Sequence, residues 1–89
     1  MPHLLIRHKV ADFAQWKPVY DSHKSAREDA GLKLLHLWGS EEDPNEIVIL
    51  FEASDVAKAK ELINSVDLKK SMEASGVQGP PQILFLSEK

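Results

Sequence analysis

Four side chains able to do chemistry recur at helical spacing early in the chain: Trp16, Tyr20, His23 and Arg27. Steps of three and four residues return to one face of a helix. Together they would offer an aromatic wall, a hydroxyl, an imidazole and a fixed cation. An imidazole titrates near neutrality and can take a proton from an acidic substrate. A hydroxyl or guanidinium can steady the oxyanion that results. His23, Tyr20 and Arg27 are accordingly the candidate catalytic residues, with Trp16 in the substrate-binding wall. The same stripe is what an amphipathic helix presents when its aromatics pack on a sheet and its arginine reaches an acid. The pattern alone carries both readings.

Three further residues join the candidates. His8 and His36 lie mid-strand on faces that are otherwise apolar, and Trp38 follows His36 at strand spacing. A histidine on an apolar strand face is either a buried general base or a hydrogen-bonded core residue. His8, His36 and Trp38 are expected to line a substrate pocket, with packing as the alternative for the tryptophan. His3 lies near the start of the chain and is expected at the surface. Glu41, Glu42, Asp43 and Glu46 crowd one turn, but their spacing matches no calcium loop. No metal site is expected there. No glycine-rich phosphate loop is present, and no cofactor is expected.

The elements that must position these residues follow in order. His3–Val10 reads as a first strand. Leu4, Ile6, His8 and Val10 share its more apolar face. Asp12 is a helix N-cap, with Gln15 three residues on as in a capping box. That helix should run to about Ala30 and stop at Gly31. Pro18 is expected to kink it, or to separate a short first turn, Phe13–Lys17, from the main helix. Leu32–Glu52 is a hairpin around a Pro-Asn turn. Leu32, Leu34, His36 and Trp38 would share one face of its first strand, with Gly39 marking a bulge or a close backbone approach. Its second strand is apolar at every position from Ile47 to Phe51. Ser54 or Asp55 caps a second helix, a break follows at Asn64–Asp67, and a short helix runs Leu68–Ser75 with Asp67 as its cap. Gly79-Pro80-Pro81 reads as a stiff loop before a last strand, Gln82–Ser87.

The order β-α-β-β-α-β, within a single domain of 89 residues, predicts an α+β fold of the ferredoxin-like type: a four-stranded antiparallel sheet with helices on one face. Strands such as Ile47–Phe51 are apolar on both sides. Helices cover only one of them. The other would carry several of Leu5, Leu35, Leu37, Val48, Leu50, Leu84 and Leu86. A patch of that size is unusual on a monomer, and a second copy of the sheet is the simplest cover. A homodimeric α/β barrel is therefore expected, with a ligand cavity between the two sheets.

Composition narrows the function classes. The net charge is −3, and the lysines and arginines are scattered, so no nucleic-acid partner is expected. The chain has no cysteine, which excludes disulfides and thiolate chemistry. No apolar stretch approaches the roughly 18 residues that read as a spanning helix. No membrane partner or leader is expected, and the default location is cytoplasmic.

Several segments carry a resemblance to a known family. They are Val10–His23 with its Asp12, Trp16, Pro18 and Tyr20, then Arg27 and Gly31, then Asp43–Glu46, and Gly76-Val-Gln-Gly79-Pro-Pro81. With the element order, they resemble the dimeric α/β-barrel superfamily, in particular its small bacterial cyclase-like and antibiotic-biosynthesis-monooxygenase-like members. The resemblance spans nearly the whole chain. It implies a homodimer that binds a small hydrophobic or aromatic ligand. It also implies a cyclase or isomerase, or a cofactor-independent monooxygenase, acting on an aromatic or polyketide-like compound. A non-catalytic binding or interaction module is the alternative, since no convergent catalytic motif is present. Haem-degrading members use an Asn on the first strand, a Trp on the third and a His on the second helix. None of these stands at the corresponding place here, so that activity is not implied.

Overall fold

The computed structural model describes residues 2–89. Eight elements follow one another: β1 (His3–Val10), α1 (Phe13–Ser22), α2 (Lys24–Asp29), β2 (Leu32–Gly39), β3 (Glu46–Ala53), α3 (Val56–Ile63), α4 (Val66–Ala74) and β4 (Val77–Leu86). The strands form one antiparallel sheet in the order β2-β3-β1-β4. Both crossovers pass over a central strand, and the helices cover one face. This is the ferredoxin-like α+β arrangement. No helix among the described residues is long and apolar enough to cross a membrane.

Alternation on β1 and β3 builds the core. Leu4, Val10, Ile47, Ile49, Phe51 and Ala53 point at the helices and are buried, joined by Trp16 and Tyr20 of α1 and Ala59 of α3. Burying each large apolar side chain contributes roughly 1.5–3 kcal/mol. The alternate residues Leu5, Val48 and Leu50 lie half-buried on the open face. Leu84, Leu86 and Trp38 on the flanking strands are exposed.

Four expectations are corrected by the backbone. The first concerns the opening helix, which runs unbroken through Pro18 and ends instead at His23. Ser22 Oγ donates to the Val19 carbonyl at 2.6 Å, and His23 Nδ1 bonds the same oxygen at 2.9 Å. That carbonyl would otherwise take the His23 amide, which turns to the Tyr20 oxygen. Side-chain competition for one carbonyl thus divides the segment into α1 and α2. Asp12 does cap α1, accepting from the Ala14 amide at 2.9 Å.

The second correction concerns β2. Its register on β3 shifts between Leu34 and His36, so the bulge lies at Leu35 and not at Gly39. Leu32 and Leu37 are an odd number of residues apart, and both reach the core only if one residue is inserted between them. The insertion moves His36 and Trp38 onto the open face, opposite Leu50 and Val48, away from the helices that Leu32 faces.

Third, Gly79-Pro80-Pro81 is no loop but lies within β4. Arg7 pairs with Gln82 and Lys9 with Gln78, so these three residues bow out opposite His8. Prolines lack an amide donor and are tolerated on an edge strand or a bulge; here they occupy both. Gly79 supplies the positive φ of 74° that the bow requires.

Fourth, the last helix starts earlier than expected. Ser65, not Asp67, is its cap, accepting from the Leu68 amide at 3.2 Å. Asp67 sits inside the first turn, where the helix dipole favours an acid.

Candidate functional site

A cavity of about 560 Å³ lies between the helix layer and the sheet of a single chain. Ligand pockets typically hold about 300–1,000 Å³. Its walls are mostly apolar. Ile6, Ile49, Phe51 and Ile83 rise from the sheet, and Leu62, Leu68 and Met72 close it from α3 and α4. The bowed segment Gly79–Pro81 forms part of the rim. The bulge that breaks β4 pairing therefore also shapes the cavity beside His8.

Polar groups enter from two places. His8 projects from the middle of β1, because even-numbered residues of that strand face the helices. Tyr20, His23 and Arg27 enter from α1 and α2. The spacing that placed them on one helical stripe holds across the break at His23. All four residues line the cavity.

The aromatic members form a continuous packing column. Trp16 is fully buried and stacks on Tyr20, with ring centroids 4.8 Å apart. Its edge meets His8 at 5.4 Å. The Arg27 guanidinium lies 3.7 Å from the Tyr20 ring centre, a cation–π contact, and donates to the Tyr20 carbonyl at 2.5 Å. Trp16 thus stands behind the cavity wall and orients the residues that form it.

Three buried polar atoms in this column have no hydrogen-bond partner in the protein: His8 Nε2, Trp16 Nε1 and the Tyr20 hydroxyl. Buried polar groups in proteins are nearly always paired, because leaving one unmade costs about 1–3 kcal/mol.

Protonation follows from burial. Desolvation holds His8 below the ordinary histidine value, so the ring is neutral at pH 7. Burial pushes the Tyr20 phenol up, with Arg27 pulling it down and Asp21 pushing it up. Burial likewise draws Arg27 down, opposed by Tyr20, Asp21 and Glu28, and guanidinium stays charged regardless. At His23 the Val19 carbonyl can only accept, so Nδ1 carries a proton there.

His36 and Trp38 stand elsewhere. They stack on each other at 4.6 Å on the open face of the sheet and do not line this cavity. The cavity itself is enclosed by one chain, between sheet and helices, not between two sheets. Residues missed by sequence reasoning include Met72, Lys69 and Glu73 of α4 and the Gly79–Pro81 bow. A proline pair in an edge strand was the one available signal of a bulge.

The acidic turn is structural. Asp43 pairs with Lys9 at 3.3 Å and its Oδ1 accepts the Asn45 amide at 3.0 Å. These contacts, the amide first, hold its carboxyl below the usual range. Glu46 pairs with Arg7. Asn45 Oδ1 accepts the Phe13 amide at 3.0 Å, tying this turn to the start of α1. Among the described residues no group of three or more His, Asp or Glu stands together as a metal site.

No family model and no curated protein matches the chain. Solved structures do. A candidate antibiotic biosynthesis monooxygenase from Bordetella bronchiseptica superposes with a TM-score of 0.77 at 15% identity, over 99% of this chain and 96% of that one. A similarly described protein from Caulobacter crescentus gives 0.71 at 19% identity, over 99% and 89%. SnoaB, a cofactor-independent oxygenase from Streptomyces nogalater, gives 0.73 at 11% identity, over 99% and 92%. At such identities the likeness is one of fold: the chain has the ferredoxin-like α+β architecture that these monooxygenase-type proteins share.

Proposed function

We propose that this protein is a small-molecule enzyme of the cytoplasm that binds an aromatic or polyketide-like compound in the cavity beneath α1 and α2. There it acts as a cofactor-independent monooxygenase or a cyclase. The observation that carries the reading is the convergence of His8, Tyr20, His23 and Arg27 on one apolar cavity, with two of their buried polar atoms unpartnered. The fold shared with a cofactor-independent oxygenase supports it, although a fold does not dictate a reaction.

In this reading His8 is the general base, because it is neutral, buried and without a protein partner at Nε2. His23, which lines the same cavity, is the second candidate. The base takes an acidic proton from the ligand, and the Tyr20 hydroxyl and Arg27 stabilise the oxyanion. Cyclisation or isomerisation needs no more than this. Monooxygenation adds dioxygen at an activated methylene: one oxygen atom becomes the new carbonyl and the other leaves as water with the two hydrogens. The low dielectric of the cavity strengthens both electrostatic contacts.

The open sheet face belongs to the same reading. Leu5, Val48, Leu50, Leu84, Leu86 and Trp38 make it too apolar for a free surface, and a second copy covering it would give a homodimer with His36 and Trp38 in the interface.

Oxygen uptake and quinone absorbance with a hydroxylated anthrone as probe test the enzyme reading. Acceleration over buffer is expected, with a loss of about 10²-fold or more in His8→Gln. Binding without turnover would replace the enzyme by a non-catalytic binding module. An anthrone that neither binds nor reacts would sink the reading.

A further inference from the structure

We infer that Arg27 is the anchor for a carboxylate, so that the ligands of this cavity are aromatic acids. The inference rests on the reading above and names its substrate class.

Arg27 is half-buried and its guanidinium sits over the Tyr20 ring. One of its five N–H donors is used by the Tyr20 carbonyl. The two acids that act on it electrostatically are already engaged: Asp21 pairs with Lys17 at 2.7 Å, and Glu28 with Lys24 at 3.9 Å. None of the ion pairs among the described residues includes Arg27. A guanidinium fixed in orientation, partly desolvated and lacking an acid partner is the geometry that recognises a planar carboxylate bidentately.

The rest of the cavity agrees. Its charged lining consists of Arg27, Lys69 and Glu73, so cations outnumber acids. Tyr20 lines the same space, and its buried, unpartnered hydroxyl is a donor free for an oxygen of the ligand. The apolar walls suit a flat hydrocarbon body. A neutral phenol would satisfy Tyr20 and leave the guanidinium unmatched. With Arg27 committed to a carboxylate, Tyr20 is left to serve the oxyanion at the reacting position near His8.

The test is a matched pair of probes, anthracene carboxylate and its carboxamide, titrated by calorimetry against the wild-type protein, Arg27→Gln and Arg27→Lys. The wild type is expected to prefer the acid by about 10- to 100-fold, the range of a charge-assisted contact. Arg27→Gln should bring the two probes within about twofold by weakening the acid alone. Arg27→Lys should keep a reduced preference, since a point charge replaces the fork. Equal affinity for both probes in the wild type would overturn the anchor and leave the aromatic-binding reading standing. Failure of both probes to bind would overturn the two together. An acid preference that persists in Arg27→Gln would also overturn the assignment. If circular dichroism shows Arg27→Gln unfolded, the wild-type pair and Arg27→Lys decide the question.

Discussion

Trp16 and Tyr20 stack with their planes 25° apart and their centroids 4.8 Å apart, one helical turn from each other on α1. The pair does two jobs. Trp16 fills the core behind, and Tyr20 turns its other face to Arg27 and lines the cavity. Neither the indole N–H nor the phenol finds a partner in the protein. Such unmet groups are tolerated where function uses them.

Removing the Tyr20 hydroxyl should separate those roles. Tyr20→Phe keeps the stack and deletes a buried unpartnered group, so stability should hold or rise by up to about 1 kcal/mol. Urea denaturation measures this. Turnover of the anthrone probe should fall at least tenfold. Trp16→Ala, by contrast, should cost about 3–5 kcal/mol, a large part of the stability of a domain this small.

Stability should depend on pH through His8. Its pKa is lower in the folded protein than in the unfolded chain, because burial disfavours the imidazolium. The unfolded state therefore binds more protons below about pH 6.5. Stability is full above that value and declines as pH falls through it, until the folded form also takes the proton. Melting temperatures across this window should show the decline, and His8→Phe should flatten it. An unchanged slope in the variant would place the effect on another group.

The open sheet face should hold two copies together. A charge at its centre or on its flank, as in Leu50→Glu or Leu84→Glu, removes the apolar match at the proposed interface. Sedimentation at micromolar concentration should give a dimer for the wild type and a monomer for either variant. A wild-type monomer would refute the homodimer. The cavity would keep its walls, since it is enclosed by one chain.

Gly31 ends α2 at a φ of 78°, where an L side chain is strained. A Cβ added there would also run into Ser54 Oγ, whose hydroxyl donates to the Gly31 carbonyl at 3.1 Å. Gly31→Ala should cost about 1–2 kcal/mol from the backbone alone. A thermal shift of several degrees downward is the expected readout.

Local patterning was enough to determine much of this protein. Apolar alternation placed β1, an unbroken apolar run placed β3, Asp12 and Gly31 bounded the first helical segment, and the order of elements implied the ferredoxin-like sheet. The spacing of Trp16, Tyr20, His23 and Arg27 put them on one stripe, and the structure brings the last three to one cavity with His8. These features are legible because periodicity and capping act within a few residues.

What only the tertiary structure decided depends on pairing between distant segments. A one-residue bulge at Leu35, set by β2 against β3, reversed the side of the sheet that carries His36 and Trp38. The bow at Gly79–Pro81 became part of β4 only because β1 lies beside it with His8 opposite. The break at His23 arose from two side chains competing for the Val19 carbonyl. In a strand, a single inserted residue exchanges the two faces, and no composition or spacing within one segment records that insertion. The candidate site therefore lies beneath the helices, because register between strands, and not periodicity along them, assigned each face.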